Sequence, residues 1–269
     1  MDKPTRSRAK TATSLVLGVA LTTLLFVGCA SPRLFSFQNI NYFIASSGQA
    51  QLGNLGLMTS TDGLGFQRVG FLSDCQNTTV PVSIDATMHG LLPIQNAFGA
   101  GTKAKELSAL LGVPRDDLEK SSVLLFSVNP LDAQQQVASW PDACRNLVAR
   151  NPGRARMVIS VAVLLPHRIL APEATSSRLT AEVAPRGYLK LTVHGRKSVE
   201  LSVPPQAVFA WRSGHFCWPE EGDGGPVLRA DDPGFATCPE QYDDSAQPGS
   251  PWSVEPEKPV YIPKGDDDD

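Results

Sequence analysis

Three short runs in the second half of the chain alternate apolar and polar residues without a break. RLTAEV sets Leu179, Ala181 and Val183 on one side, YLKLTVH sets Leu189, Leu191 and Val193, and SVELSV sets Val199, Leu201 and Val203. Side chains of an extended chain point to opposite faces in turn, so a period of two buries one face of a sheet and wets the other. The runs are joined by APRG and HGRK, which are short and turn-forming, and strands so closely spaced pair antiparallel. The pattern predicts a three-stranded antiparallel meander over about residues 178–203.

The rest of the body adds strands of another kind and a few helices. RMVISVAVLL (156–165) is the longest apolar run of the body and is rich in β-branched residues, which predicts a central strand buried on both faces. SSVLLFSV (121–128) reads the same way, and AVFAW (207–211) adds a strand after Pro204 and Pro205. INYFIASS (40–47) and FQRVGFL (66–72) are strand-like, with a glycine-rich stretch between them that is either a hairpin or a long loop. In TTVPVSI (78–84), Pro81 points to a sheet edge. Helices are expected over about 102–120, where Leu107, Leu110 and Leu111 share a face and Gly112 stops the first turn set, and over about 130–150, capped by Asn129 and Pro130 and interrupted by Pro141. The fold class that follows is α+β, mostly antiparallel sheet.

The ends differ from the body. MDKPTRSRAK carries Lys3, Arg6, Arg8 and Lys10 against Asp2, and an apolar run from Leu15 to Val27 follows. That run is shorter than the ~20 residues a membrane-crossing helix needs, and basic head, apolar stretch and small residues in this order form a secretory signal. LLFVGCAS, from Leu24 to Ser31, resembles the lipobox of bacterial lipoproteins, with Phe26 standing where leucine is usual. The resemblance implies cleavage before Cys29, acylation of its thiol, and a membrane anchor through the N-terminal lipid. Ala30 in the next position implies, in a Gram-negative cell, an outer-membrane anchor facing the periplasm. The chain then divides into a signal peptide (1–28), a tether (29–38), a globular body (39–218) and a C-terminal segment (219–269).

Charge separates the last two. Residues 29–218 hold 17 basic and 12 acidic side chains, while residues 219–269 hold 3 basic and 14 acidic ones together with nine prolines. Such a composition buries little apolar surface to offset chain entropy, so this acidic, proline-rich segment is expected to be largely extended. With Cys29 committed to lipid, four cysteines remain in an oxidising compartment, and two disulfides are expected. Cys217 with Cys238 is the most local closure, which leaves Cys75 with Cys144. A zinc site built on His215 and Cys217 is the rival arrangement, but the paired spacing of structural zinc cysteines is missing. The reading therefore includes no metal.

Motifs that suggest chemistry resolve to plainer readings. FGAGTKAKEL (98–107) lacks the GK[ST] order of a phosphate loop, and KELSALLGVPRDDLEK (105–120) carries acids where a DNA-reading helix needs a basic surface. No nucleotide, nucleic-acid partner or cofactor is expected. Asp85 and His89 stand four apart in a poor helix, His167 and His194 have no companion nucleophile, and no HExxH, GxSxG or SxxK pattern occurs, so no catalytic residue is assigned. The tail acids Glu220, Glu221, Asp223, Asp231 and Asp232 lack calcium-loop spacing. WRSGHFCW gathers Trp211, His215, Phe216 and Trp218 beside a cysteine, a grouping that either anchors binding or packs on the disulfide. The expectation is a lipid-anchored envelope protein that binds, scaffolds or assists assembly with an envelope protein partner; the enzyme alternative is a periplasmic hydrolase of cell-wall or exported substrates.

Overall fold

The computed structural model describes residues 34–44, 50–59, 66–71, 80–99, 101–128, 140–166, 179–184, 188–195, 198–220, 225–231, 238, 242–243 and 245. They form thirteen strands and four α-helices. The strands are β1 (Leu34–Phe37), β2 (Ile40–Ile44), β3 (Asn54–Met58), β4 (Phe66–Phe71), β5 (Val80–His89), β6 (Ser121–Ser127), β7 (Ala155–Pro166), β8 (Leu179–Ala184), β9 (Tyr188–Val193), β10 (Val199–Val203), β11 (Val208–Pro219), β12 (Val227–Ala230) and β13 (Tyr242–Asp243). The helices are α1 (Leu91–Ala97), α2 (Ala104–Leu111), α3 (Arg115–Glu119) and α4 (Asp142–Ala149). The sheet runs β1-β2-β11-β7-β6-β5-β8-β9-β10, with β12 and β13 added to β11 and the β3–β4 hairpin added to β7.

All pairs are antiparallel, and the two longest strands organise the rest. Along one edge β7 pairs with β11; along the other it pairs with β6 through Ser160–Pro166 and with β3 through Ala155–Met157. β11 likewise hands its free edge from β2 to β12 and then to β13. β5 divides its length, with Val80–Val82 on β8 and Ser83–His89 on β6. Pro81 lies in the part paired only to β8, so its missing N–H falls where no β6 partner calls for it.

Two apolar clusters lie on opposite faces of the central strands. On one face Val123, Leu125, Ala162 and Ala210 meet Ile94 of α1, Leu107 of α2 and Leu118 of α3. Phe35 forms its edge contacts with Tyr42, Phe98 and Phe209 in the same cluster. On the other face Leu124, Phe126, Val161 and Val163 meet the meander residues Leu179, Val183, Leu191 and Val203, the hairpin residues Leu55 and Phe66, and Val148 of α4. Neighbouring residues of β6 and β7 thus serve opposite clusters, which is why these strands read as unbroken apolar runs.

The meander pairs in the expected register, Leu179 with Val193 and Val199 with Val193 in turn. One face is buried, but Val199 at the start of edge strand β10 is 52% exposed. The glycine-rich stretch between the early strands contains β3, so β3–β4 is a hairpin. Helix α1 is an addition to the expected set: Pro93 falls within its first turn, where the missing N–H costs nothing. The 102–120 stretch is helical in two pieces separated at Gly112, as expected, and the φ of 65° at Gly112 closes α2. Of the expected 130–150 helix, Asp142–Ala149 is helical, and residues 130–139 lie outside the described residues. Two strands of the C-terminal segment join the sheet: β12, within the Cys217–Cys238 loop expected to be tied to the body, and the two-residue β13, while Leu228 joins the main cluster.

Gly56 offers a direct check of the hairpin's seat on the core. A Cβ there would sit 2.4 Å from Phe66 Cζ and 2.7 Å from the Gln67 carbonyl oxygen. The ring could turn aside, but the backbone oxygen has no such freedom. Gly56→Ala should lower unfolding free energy by about 1–3 kcal/mol through overpacking, measured by urea denaturation; an unchanged midpoint would refute this packing.

Candidate functional site

Among the described residues, charged groups enter the interior at one place, the junction of β7, β11 and β12. Arg156 on β7 stands directly opposite His215 on β11. Asp231 follows the last residue of β12, and its backbone N–H donates to the Ser213 carbonyl at 2.8 Å. That bond extends the β11–β12 ladder by one step and turns the carboxylate inward. Asp231, Arg156 and His215 are 3%, 5% and 3% exposed.

The Asp231 carboxylate gathers three partners. Its Oδ1 lies 2.5 Å from His215 Nδ1. Its Oδ2 accepts the Ser213 hydroxyl at 2.5 Å and lies 3.0 Å from Arg156 Nε. The Arg156 contact is an ion pair without hydrogen-bond alignment, since Nε makes no aligned bond among the described residues. Arg156 Nη1 instead donates to the carbonyls of Gly153 and Ala155. The Arg212 guanidinium donates to the Asp231 carbonyl at 2.9 Å. A carboxylate only accepts, so Nδ1 carries the shared hydrogen and Nε2 is the nitrogen left to bind or accept. Nε2 is buried and makes no hydrogen bond among the described residues.

The arrangement is not that of a nucleophilic triad. Ser213 is fully buried and bonds to the carboxylate, whereas an activated serine must face the imidazole. What lies near the ring is sulfur. Cys217 and Cys238 form a disulfide with a Cα–Cα distance of 5.6 Å, as the local closure predicted. One ring nitrogen of His215 and both sulfurs lie within 4.8 Å of one another. Cys144 is also disulfide-bonded, while Cys75, Cys29 and the signal segment lie outside the described residues.

The aromatic corner around this site is interior. Trp211, Phe216 and Trp218 are each 2% exposed. Trp211 packs on Phe43 and Phe66, and Phe216 meets Trp140 edge-on. A spacing of five between Trp211 and Phe216 would set them on opposite faces of a regular strand. Both nevertheless belong to one cluster, and the β7–β11 register shifts between them, with Ile159 of β7 left as the extra residue opposite Arg212 and Ser213. Of the two readings of these four residues, binding or packing at the disulfide corner, burial of all four fits the packing one.

The other polar pairs are local. Asp85 and His89 lie on β5 and bond to β6 serines, Asp85 with Ser127 and His89 Nδ1 with Ser122 Oγ at 2.7 Å. Ser122 is fully buried, so no substrate reaches its hydroxyl. His194 bridges the meander to the Thr180 hydroxyl at 2.9 Å, and His167 lies outside the described residues. Tyr42 shares a 3.4 Å contact with Ser160, and burial pushes its phenol up, eased by that contact. A groove of about 340 Å³ on the helix-covered face is lined by Leu34, Ile44, Phe98, Leu107 and Leu110 with Thr102 and Glu106. No helix among the described residues is long and apolar enough to cross a membrane.

A buried ion pair loses most when one partner goes and the other charge stays. Arg156→Met should lower unfolding free energy by about 3–5 kcal/mol, read from urea titrations. Arg156→Met with Asp231→Leu should regain a large part of that loss, and a double variant as unstable as the single one would contradict the pairing. No protein-family model matches the chain, and no curated protein aligns with it significantly, so the functional reading rests on the chemistry of these residues.

Proposed function

We propose that the chain is a lipid-anchored protein of the bacterial cell envelope, held through Cys29, whose body binds and positions an envelope protein partner. The lipobox-like stretch ending at Cys29 supports the anchor. Two or more acyl chains hold stably where a single one does not. In a Gram-negative cell the resemblance favours the outer membrane, with the body in the periplasm.

The observation that carries the binding role is where the groove lies along the chain. Leu34 and Ile44, which line it, belong to the β1–β2 hairpin, the first structure after the tether. Five residues connect Cys29 to Leu34, and an extended chain covers at most about 3.6 Å per residue, roughly 18 Å in all. An anchor at Cys29 would leave at most that length of chain before the hairpin that lines a groove of five apolar residues with Glu106 and Thr102. That groove suits an apolar side chain flanked by a basic or amide group on a partner of the same membrane face. The buried serines at 122 and 213 give hydrolysis less support than this surface gives binding.

Two measurements test the proposal. Cys29→Ser should abolish labelling by a fatty-acid analogue and shift the protein from the membrane to the soluble fraction; retention at the membrane would sink the anchor. Leu110→Asp should lower recovery of cross-linked partners from detergent extracts by at least tenfold, with the urea midpoint and Cys29 labelling unchanged. Partner recovery equal to that of the unaltered protein would remove the groove from the reading.

A further inference from the structure

The disulfide corner beside the buried carboxylate has the donor set of a metal site. His215 and Cys217 alternate along β11 and share a face, and Cys238 is brought to them by the disulfide. One nitrogen and two sulfurs already lie within 4.8 Å of one another. Thiolate sulfur with imidazole nitrogen is the set that suits zinc, usually in tetrahedral coordination.

A second, independent observation points the same way. His215 is 3% exposed, yet Nε2 has no hydrogen-bond partner among the described residues. Its Nδ1 is held by Asp231 at 2.5 Å, and Asp231 is fixed in turn by Ser213 and Arg156. A metal-binding histidine characteristically donates its other N–H to a carboxylate, which fixes the ring and makes the free nitrogen a better donor. His215 shares these features: a buried ring close to two cysteine sulfurs, Nδ1 on a carboxylate, and Nε2 without a hydrogen bond among the described residues.

We propose that opening the Cys217–Cys238 disulfide converts this corner into a zinc site. Its ligands are the two thiolates and His215 Nε2, and Asp231 acts as the positioning residue. The chemistry has two steps. A thiol reductant supplies two electrons and two protons, the S–S bond breaks to two cysteine thiols, and the reductant leaves as its own disulfide. Zinc then binds with release of both thiol protons. Two thiolates on one tetrahedral zinc stand about 3.8 Å apart, given Zn–S bonds of ~2.3 Å. Cys217 is fully buried on β11 and Cys238 is only half-buried, so Cys238 is the ligand with room to adjust. The site is independent of the anchor and of the groove.

The test uses the full chain, oxidised or reduced, with cobalt(II) and zinc as probes. Reduced protein should take up one equivalent of cobalt with a thiolate-to-metal charge-transfer band, and oxidised protein should show none. His215→Gln should weaken that band's affinity by at least tenfold. Peptide mapping separates this pair from the cysteines at 75 and 144: zinc should protect Cys217 and Cys238 of the reduced, unaltered chain from alkylation. Equal alkylation of both with and without zinc overturns the proposal even if His215→Gln fails to fold. So does a cobalt band carried by the oxidised protein or undiminished in a folded His215→Gln chain.

Discussion

The antiparallel pairing of β7 with β11 is the constraint on which the other elements depend. Both strands are twelve residues long, and each uses its remaining edge for two or three shorter partners. The helix layer rests on Ala162 and Ala210 of this pair, and the meander and hairpin side rests on Val161, Val163 and Trp211. Phe209 of β11 and Leu164 of β7 join the helix side as well, so both layers pack on one ribbon. A strand pair buried on both faces has no solvated side to absorb an error, so its register must be specified from within.

The buried charges supply that specification. Arg156 faces His215 in the aligned register, and Asp231 bonds to the same stretch of β11 through its backbone and its side chain. A slip of β11 by one residue would carry Ser213 and His215 to the opposite face, because side chains alternate. The guanidinium of Arg156 would then be stranded among apolar groups, at a cost of several kcal/mol. Hydrophobic contacts tolerate such a slip far better, since they are non-directional. Here the polar cluster does for register what the two apolar clusters cannot.

Elements whose periodicity was intact were legible in the sequence, and those whose periodicity was broken were not. The meander, β6 and β7 follow from alternation and from unbroken apolar runs. AVFAW gave the start of β11, but its twelve-residue extent was hidden because WRSGHFCWP shows no clean apolar alternation. α1 was hidden by Pro93 and by its seven-residue length, and the two C-terminal strands by proline and acid around them. The Cys217–Cys238 pairing was legible from proximity in the chain. The site itself was not. Asp231 is 16 residues from His215 and stands in a run of tail acids, with nothing local to mark it as the one that turns inward.

Disulfide and ion cluster are energetically tied, because one loop serves both. The 21-residue separation between Cys217 and Cys238 encloses β12 and Asp231. Closing a loop of that size removes about 3 kcal/mol of chain entropy from the unfolded state. That is comparable to the ~3–5 kcal/mol lost when a buried ion pair keeps only one member. Opening the disulfide therefore withdraws support of the same order as the cluster needs to hold Asp231 in place. The zinc bridge proposed above would close the same loop through the same two sulfurs and, through His215, would bear on the Asp231 carboxylate. Chemistry at the sulfurs would therefore be felt where Arg156 and His215 pair at one end of the β7–β11 ladder.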